Sequence, residues 1–304
     1  MTADLIVGVD IGGTNVRIGV VDSEARLTNE KIFSSREIQG NNAVNDLLAY
    51  LNAYISSLKS PVRALSIGFP STIDKERHAL INTPNLEGFN NVGIKLMYEK
   101  ALGIPVFINK DATALLYYDM YKLGIGQCGI IVGIYIGTGI GNSIIIDGNE
   151  FAGNDGVACE LGHIPVAGRD DLCGCGLKGC IELYAGGKGL ERIRANEFPD
   201  TPVELLFLNH SDEPRIREYV SEVANAVVTE INIINPRYVV LGGGVLQMQA
   251  FPKELLKNMI IEKTRRPIPG DMINIVFSED INPYNGVIGA ALYAIDKIKK
   301  DVTQ

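Results

Sequence analysis

With 304 residues, 46% of them apolar, the chain is long enough to bury one large or two medium cores. Its 36 Asp and Glu against 28 Lys and Arg give a formal net charge of -8, which excludes a nucleic-acid backbone as partner, because displacing counterions from phosphates takes a basic surface. No stretch reaches the roughly 18 to 20 apolar residues of a membrane span and no signal peptide is visible, so a cytoplasmic protein with no membrane partner is expected.

In chain order, Leu5 to Val9 reads as a strand entering Asp10-Ile-Gly-Gly-Thr-Asn15, and Val16 to Val21 as the strand leaving it. Walker and Rossmann loops run from strand to helix, so this glycine run is neither. Gly12 and Gly13 let the backbone approach an anion, Thr14 and Asn15 add side-chain donors, and Asp10 can orient a magnesium ion through water. Taken alone, the same residues also make an ordinary tight turn. Leu47, Leu48, Leu51, Tyr54, Ile55 and Leu58 lie on one helical face, followed by a strand at Ala64 to Phe69. In the turn Thr83-Pro-Asn-Leu86, Asn85 either caps the turn or reaches a ligand hydroxyl. Val106 to Ile108 is a strand ending near Asp111, which is either a helix N-cap or a chemical group, and Leu115 to Leu123 is helical.

A new sheet is predicted near residue 129, where Ile130 to Ile136 enters Gly137-Thr-Gly-Ile-Gly141 and Ser143 to Ile146 leaves it. Gly137, Thr138 and Gly139 thus repeat the strand, glycine turn, strand pattern of the first hairpin, the one internal repeat found. Ile216 to Ile234 is a long amphipathic helix closed by Asn235-Pro236, and Tyr238 to Leu241 is a strand entering Gly242, Gly243 and Gly244. Gly286 to Ile298 is helical, with a small-residue face at Gly289, Ala290 and Ala291, and is expected to return to the first lobe. This alternation of strands and helices marks an α/β chain, and the lack of a low-complexity linker points to a hinge.

Of five cysteines, three fall in Cys173-Gly-Cys-Gly-Leu-Lys-Gly-Cys180, which in a reducing compartment reads as metal ligation rather than a disulfide framework. His163 is the candidate fourth ligand; three cysteines and one histidine make a closed, structural zinc site. Cys128 and Cys159 read as core or surface thiols. Glu160, His163 and Glu182 bracket the loop with groups suited to a polyhydroxylated ligand, although both glutamates also read as solvated surface charges.

These residues together resemble the ROK family of sugar kinases and repressors, within the actin-like ATPase superfamily of ribonuclease H-like fold. Asp10-Ile-Gly-Gly-Thr-Asn15 is similar to its first phosphate motif and Ile136-Gly-Thr-Gly-Ile-Gly141 to its second. Glu160-Leu-Gly-His163 and the run Cys173 to Glu182 are similar to its sugar and zinc region, and Val240 to Val245 to its adenosine-binding turn. Within the family, Asn82 to Leu86, Gly162-His-Ile-Pro165 and Leu241 to Val245 resemble the D-allose kinases.

The resemblance implies two α/β lobes around an interlobe cleft: residues 1–115 with helix 286–304 in a small lobe, and 116–285 in a large lobe carrying the zinc loop. It implies transfer of a phosphoryl group from ATP, with Mg2+, to the 6-hydroxyl of a hexose, with D-allose first and glucose or N-acetylmannosamine as alternatives. A non-catalytic sugar sensor is the alternative of another class. Asp111 falls at the family's catalytic base. Asp10, Gly12, Gly13, Thr14, Asn15, Gly137, Thr138, Gly139 and Gly242 to Gly244 would hold the nucleotide, and Asn85, Lys110, Glu160, His163 and Glu182 the sugar. His163, Cys173, Cys175 and Cys180 would hold a structural Zn2+. Lys110 and Thr113 stand where many members carry Asn. A homodimer is implied, and no N-terminal helix-turn-helix, the family repressors' extension, is expected.

Overall fold

The computed structural model describes residues 5–84 and 86–303. These form two compact units. The first holds the residues up to Gly126, Ala152–Ala158 and those from Ile281 on; the second holds Gln127–Phe151 and Cys159–Asp280. Among the described residues no helix is long and apolar enough to cross a membrane.

In the first unit β1 (Ile6–Ile11), β2 (Asn15–Val21) and β3 (Leu27–Ser34) form a meander, followed by α1 (Ala43–Ser56) and β4 (Ala64–Phe69). Short strands β5 (Thr72–Ile73), β6 (Ala79–Asn82) and β7 (Val92–Gly93) make a small separate sheet; α2 (Lys95–Leu102), β8 (Val106–Lys110) and α3 (Asp111–Lys122) complete this part of the chain. The main sheet runs β3-β2-β1-β4-β8, with β1, β4 and β8 parallel and the two hairpin partners antiparallel. Leu47, Leu51 and Tyr54 of α1 bury one side of it with Val7, Val9, Ile67 and Ile108.

In the second unit β9 (Ile130–Ile136), β10 (Ile140–Ile146) and β11 (Asn149–Glu150) again form a meander. Then come α4 (Glu182–Ala185), α5 (Gly187–Glu197), α6 (Leu206–His210), α7 (Pro214–Ile234), β12 (Tyr238–Gly242), α8 (Lys253–Lys263) and β13 (Asn274–Phe277). The sheet order β11-β10-β9-β12-β13, with β9, β12 and β13 parallel, repeats that of the first unit. The repeat glimpsed in the two glycine hairpins is therefore a repeat of whole sheets.

The final helix, α9 (Asn285–Thr303), packs in the first unit on α3, β1 and β4, where Val287, Ile288 and Ala291 meet Ile6, Ala64 and Tyr118. The sequence reading divides the chain at residue 115, inside α3. In the structure α3 belongs wholly to the first unit, because its buried face is matched to α9. The segment 152–158 also belongs there, an excursion that no composition signal marks.

α7 ends as the sequence predicts: Asn235 takes the left-handed conformation (φ 51°), its amide donates to the Ile231 carbonyl, and Pro236 cannot continue the helix. Glu230 interrupts the apolar stripe of Val220, Val223, Val227 and Ile231. It is 8% exposed and Asn142 on β10 is 2% exposed. Burial pushes the Glu230 carboxyl above the ordinary glutamate range, opposed by a hydrogen bond with Asn142. Asn142 Nδ2 also donates to the Gly133 carbonyl at 3.1 Å, whereas its buried Oδ1 has no hydrogen-bond partner.

An uncharged amide at position 230 can donate to that oxygen. Glu230→Gln is therefore expected to raise Tm by about 2 °C at neutral pH, since a buried unsatisfied acceptor costs ~1 kcal/mol or more. A carboxyl whose native proton affinity is raised loses stability as pH rises through its native pKa, so the gain should fade on acidification to about pH 4. Calorimetric scans of both proteins across this range check sign and trend.

Candidate active site

Asp10 lies at the C-terminal end of β1, next to Gly68 of β4, which in turn neighbours Asn109 of β8. Asp111 follows two residues later on the same side, its Cα beside Gly68. The ladder thus brings two carboxylates from distant parts of the sequence to the C-terminal edge of three parallel strands, where open α/β sheets bind their ligands. Asp111 is the first residue of α3 rather than its N-cap, which is Lys110. Its Oδ1 accepts from the Ala112 amide at 2.7 Å.

Burial and then the negative charge of Asp111 raise the pKa of Asp10 to about 6, partly offset by Arg17 across the hairpin. The carboxylate lies flat on Gly286 near the start of α9, where any Cβ would overlap it. The turn beyond it is closed by the Gly12 amide on the Asn15 carbonyl at 2.9 Å. Ser35, fully buried, braces the turn from outside: its hydroxyl donates to the Gly13 carbonyl at 2.8 Å and its amide to the Thr14 carbonyl at 3.0 Å. Gly13 and Thr14 are left exposed. A serine 21 positions after Thr14, the second of the pair Ser34-Ser35, carries no sequence signal for this role. A groove of ≈ 550 Å³ lined in part by Thr28, Lys31, Tyr54 and Lys59 holds none of the expected site residues.

In the second unit Gly137, Thr138 and Gly139 turn between β9 and β10. The start of α5 is bound to them, with the Gly187 amide on the Gly137 carbonyl at 2.8 Å and the Lys188 amide on the Thr138 carbonyl at 3.0 Å. The run Gly186-Gly-Lys-Gly189 is missing from the sequence-derived set, because its role shows only beside Gly137. Gly242, Gly243 and Gly244 follow β12 beside the same hairpin: Gly243 has φ 97° and lies on the backbone of Ile136, where a side chain would overlap.

Glu182 joins the hairpin to the cysteine loop. Its Oε2 lies against Gly139, leaving no room for a Cβ, and its Oε1 accepts from Cys173 Sγ at 3.2 Å. His163 faces two ways. Nδ1 is 3.8 Å from Cys173 Sγ, and Nε2 is 3.8 Å from Glu160 Oε2. Cys175 and Cys180 sulfurs are 3.6 Å apart, and one ligand atom from each of His163, Cys173, Cys175 and Cys180 falls within 4.8 Å of all the others. Edges of this length fit a tetrahedron about Zn–S bonds of about 2.3 Å. Burial, then the neighbouring thiols, push Cys180 up, while the Leu177 amide holds Cys175 down. Such crowded thiols ionise together when a cation binds.

Glu160 is exposed and Glu182 half-buried, Cys128 is exposed and Cys159 half-buried, and Asn85 lies outside the described residues. Lys110, expected at the sugar, directs its ammonium to the Ala158 carbonyl at 3.1 Å.

A family model described as the ROK family matches residues 6–297. Glucokinase of Thermotoga maritima is 28% identical over 263 residues, covering 79% of this chain and 82% of that protein. N-acetyl-D-glucosamine kinase of Pectobacterium carotovorum is 26% identical over 257 residues, covering 78% of this chain and 83% of its own length. Among solved structures, a ROK family glucokinase from Streptomyces griseus in complex with glucose and AMPPNP has a TM-score of 0.73 at 29% identity, covering 94% of this chain and 98% of that one.

Replacing Asp10 removes one of two repelling carboxylates. A native pKa near 6 against an ordinary 3.8 means that wild-type stability declines as pH rises through this interval. Asp10→Asn is accordingly expected to raise the Tm of the nucleotide-free protein above pH 6, by the equivalent of up to about 3 kcal/mol, with no gain below about pH 4. Thermal unfolding in magnesium-free buffer over this range measures it, and an unchanged Tm at pH 8 contradicts it.

Proposed function

This chain belongs to the ROK family, and on that premise we propose that it phosphorylates the 6-hydroxyl of a hexose at the expense of ATP. The observation that carries the reading is the pairing of Asp10 and Asp111 at the edge of β1, β4 and β8, with Asp10 held against its own charge. Such a donor set suits a hydrated divalent cation, which would relieve the repulsion. Bound magnesium-ATP supplies the phosphoryl group and neutralises charge on it; Asp10, Thr14 and Thr138, with the amides of both glycine hairpins, would hold it, and Gly242 to Gly244 would receive the adenosine.

Asp111 is the general base. The Ala112 amide on Oδ1 fixes the carboxylate, which takes the proton as the sugar oxygen forms its bond to phosphorus and the bond to the departing ADP breaks. No phosphoenzyme is required. Glu160 and His163 Nε2, with Asn85, meet the sugar hydroxyls. Glu182, engaged with Gly139 and Cys173, places the phosphate hairpin relative to the sugar groups. His163 Nδ1 and the three cysteine sulfurs would hold a zinc ion in a structural role, which would fix the imidazole for its other face. D-allose is the first substrate on motif resemblance; glucose and the N-acetylated hexosamines follow, because the relatives include kinases for them.

Coupled ADP release with MgATP against allose, glucose, mannose, N-acetylmannosamine and N-acetylglucosamine, ranked by kcat/KM, tests the reading. The highest value is expected for allose; another sugar in first place removes the epimer assignment, and hexose binding without turnover favours a sensor. Asp111→Asn is expected to lower kcat about a thousandfold with nucleotide affinity intact. Metal analysis should find one zinc per chain, and Cys175→Ser should lose it and raise the hexose KM more than the MgATP KM. Normal hexose KM in zinc-free protein excludes a zinc-organised sugar site.

A further inference from the structure

Lys110 precedes the proposed base, yet its ammonium donates to a backbone carbonyl, that of Ala158, at 3.1 Å. Ala158 ends the segment Ala152–Ala158, which the chain enters after β11 and which belongs to the first unit. The segment is a closed loop. At its neck the Ala158 amide donates to the Ala152 carbonyl at 3.1 Å and Cys159 Sγ lies 3.7 Å from the Phe151 carbonyl. At its tip Gly156, with φ 88°, presses on the backbone of Ile73 to Lys75, where a Cβ would overlap. Arg77 Nη1 reaches the carbonyls of Ile73 and Gly156, each at 3.4 Å.

The loop is thus held at two ends by different means: shape at Gly156, and a charge-assisted hydrogen bond at Ala158. Two residues beyond Ala158 comes Glu160, a carboxylate assigned to the sugar. An ammonium has three donors and no acceptor, so it suits a carbonyl, and its four-carbon stem lets it reach one 48 positions away in the sequence.

We propose that Lys110 is a specificity-determining positioning residue: by holding the Ala158 carbonyl it fixes the path of the chain into Glu160, and so sets which arrangement of sugar hydroxyls that carboxylate meets. This rests on the kinase reading for its consequence but not for the tether itself. The tether is read without sugar or nucleotide, by amide hydrogen exchange across residues 152–160 in wild type, Lys110→Met and Lys110→Arg. Methionine keeps the stem and removes the donor; exchange is expected to quicken about tenfold or more there and to be restored toward wild type by arginine. Unaltered protection in Lys110→Met overturns the proposal.

In steady-state kinetics with the preferred hexose, Lys110→Met is expected to raise the hexose KM about tenfold, leaving kcat and the MgATP KM within about twofold. Gly156→Ala, which perturbs the other anchor with Lys110 intact, should give the same split. A fall in kcat at constant hexose KM would place Lys110 on the proton affinity of Asp111 instead, and a KM effect in Lys110→Met that Gly156→Ala does not share would make it a direct sugar contact; either overturns the tether as the source of specificity. Absence of turnover in wild type would remove the kinase reading while leaving the exchange result to decide the tether.

Discussion

Burial of the Asp10 carboxylate, with the negative charge of Asp111 added to it, is the constraint on which the first unit turns. Three parallel strands in register deliver both carboxylates to one edge, and nothing in an apolar α/β core favours keeping two negative charges there. The surroundings make room for them. Arg17 offsets part of the charge from the adjacent strand, and Gly286 offers a bare Cα for the Asp10 carboxylate to lie on. The start of α9 can approach so closely only because the helix is seated on β1 and β4 by Val287, Ile288 and Ala291. On the proposed reading, the stability sacrificed at Asp10 is what a bound cation would recover.

On the proposed reading the second unit solves a different problem, that of connecting the glycine hairpin at 137–139 to Glu160 and His163. Glu182 is the joint. One oxygen rests on Gly139 and the other receives the Cys173 thiol, so the hairpin, the proposed zinc loop and His163 share one carboxylate. Any displacement of the cysteine loop is thereby felt at the turn between β9 and β10. The proposed metal accordingly acts through geometry rather than chemistry, preorganising side chains that would otherwise lose rotamer freedom on binding.

Much of this was legible because its signals are local. Strand, glycine turn and strand lie consecutively in each hairpin, the apolar stripe of α7 runs unbroken over five turns apart from Glu230, and three cysteines fall in one short loop. His163 was found by its chemistry and its nearness to that loop. What was not legible is what the sheet brings together from afar. Ser35 looks like any serine until β3 carries it under the Gly13 carbonyl, and the close helix start at Gly186 and Gly187 gains meaning only beside Gly137. Lys110 is expected at the sugar because it stands where many members of the family carry Asn; that its ammonium also donates to a carbonyl 48 positions away, in a loop that composition does not distinguish from its neighbours, has no local signal.

That contrast bears on how one scaffold serves several sugars. On the proposed reading the base and the amides for phosphoryl transfer come from elements whose register is set by whole strands, and these tolerate little variation. Discrimination among epimers needs only that a carboxylate or imidazole shift by about an ångström. Such shifts are made most readily where a segment is held by a few side-chain contacts instead of a ladder of backbone bonds. The loop ahead of Glu160 has no strand ladder: one backbone bond closes its neck, Gly156 packs on the backbone of Ile73 to Lys75, and Arg77 and Lys110 add side-chain contacts. On that proposal the Lys110 ammonium, at the end of β8, acts on the sugar side through the Ala158 carbonyl, so selectivity can change while the ladder of β1, β4 and β8 stays as it is.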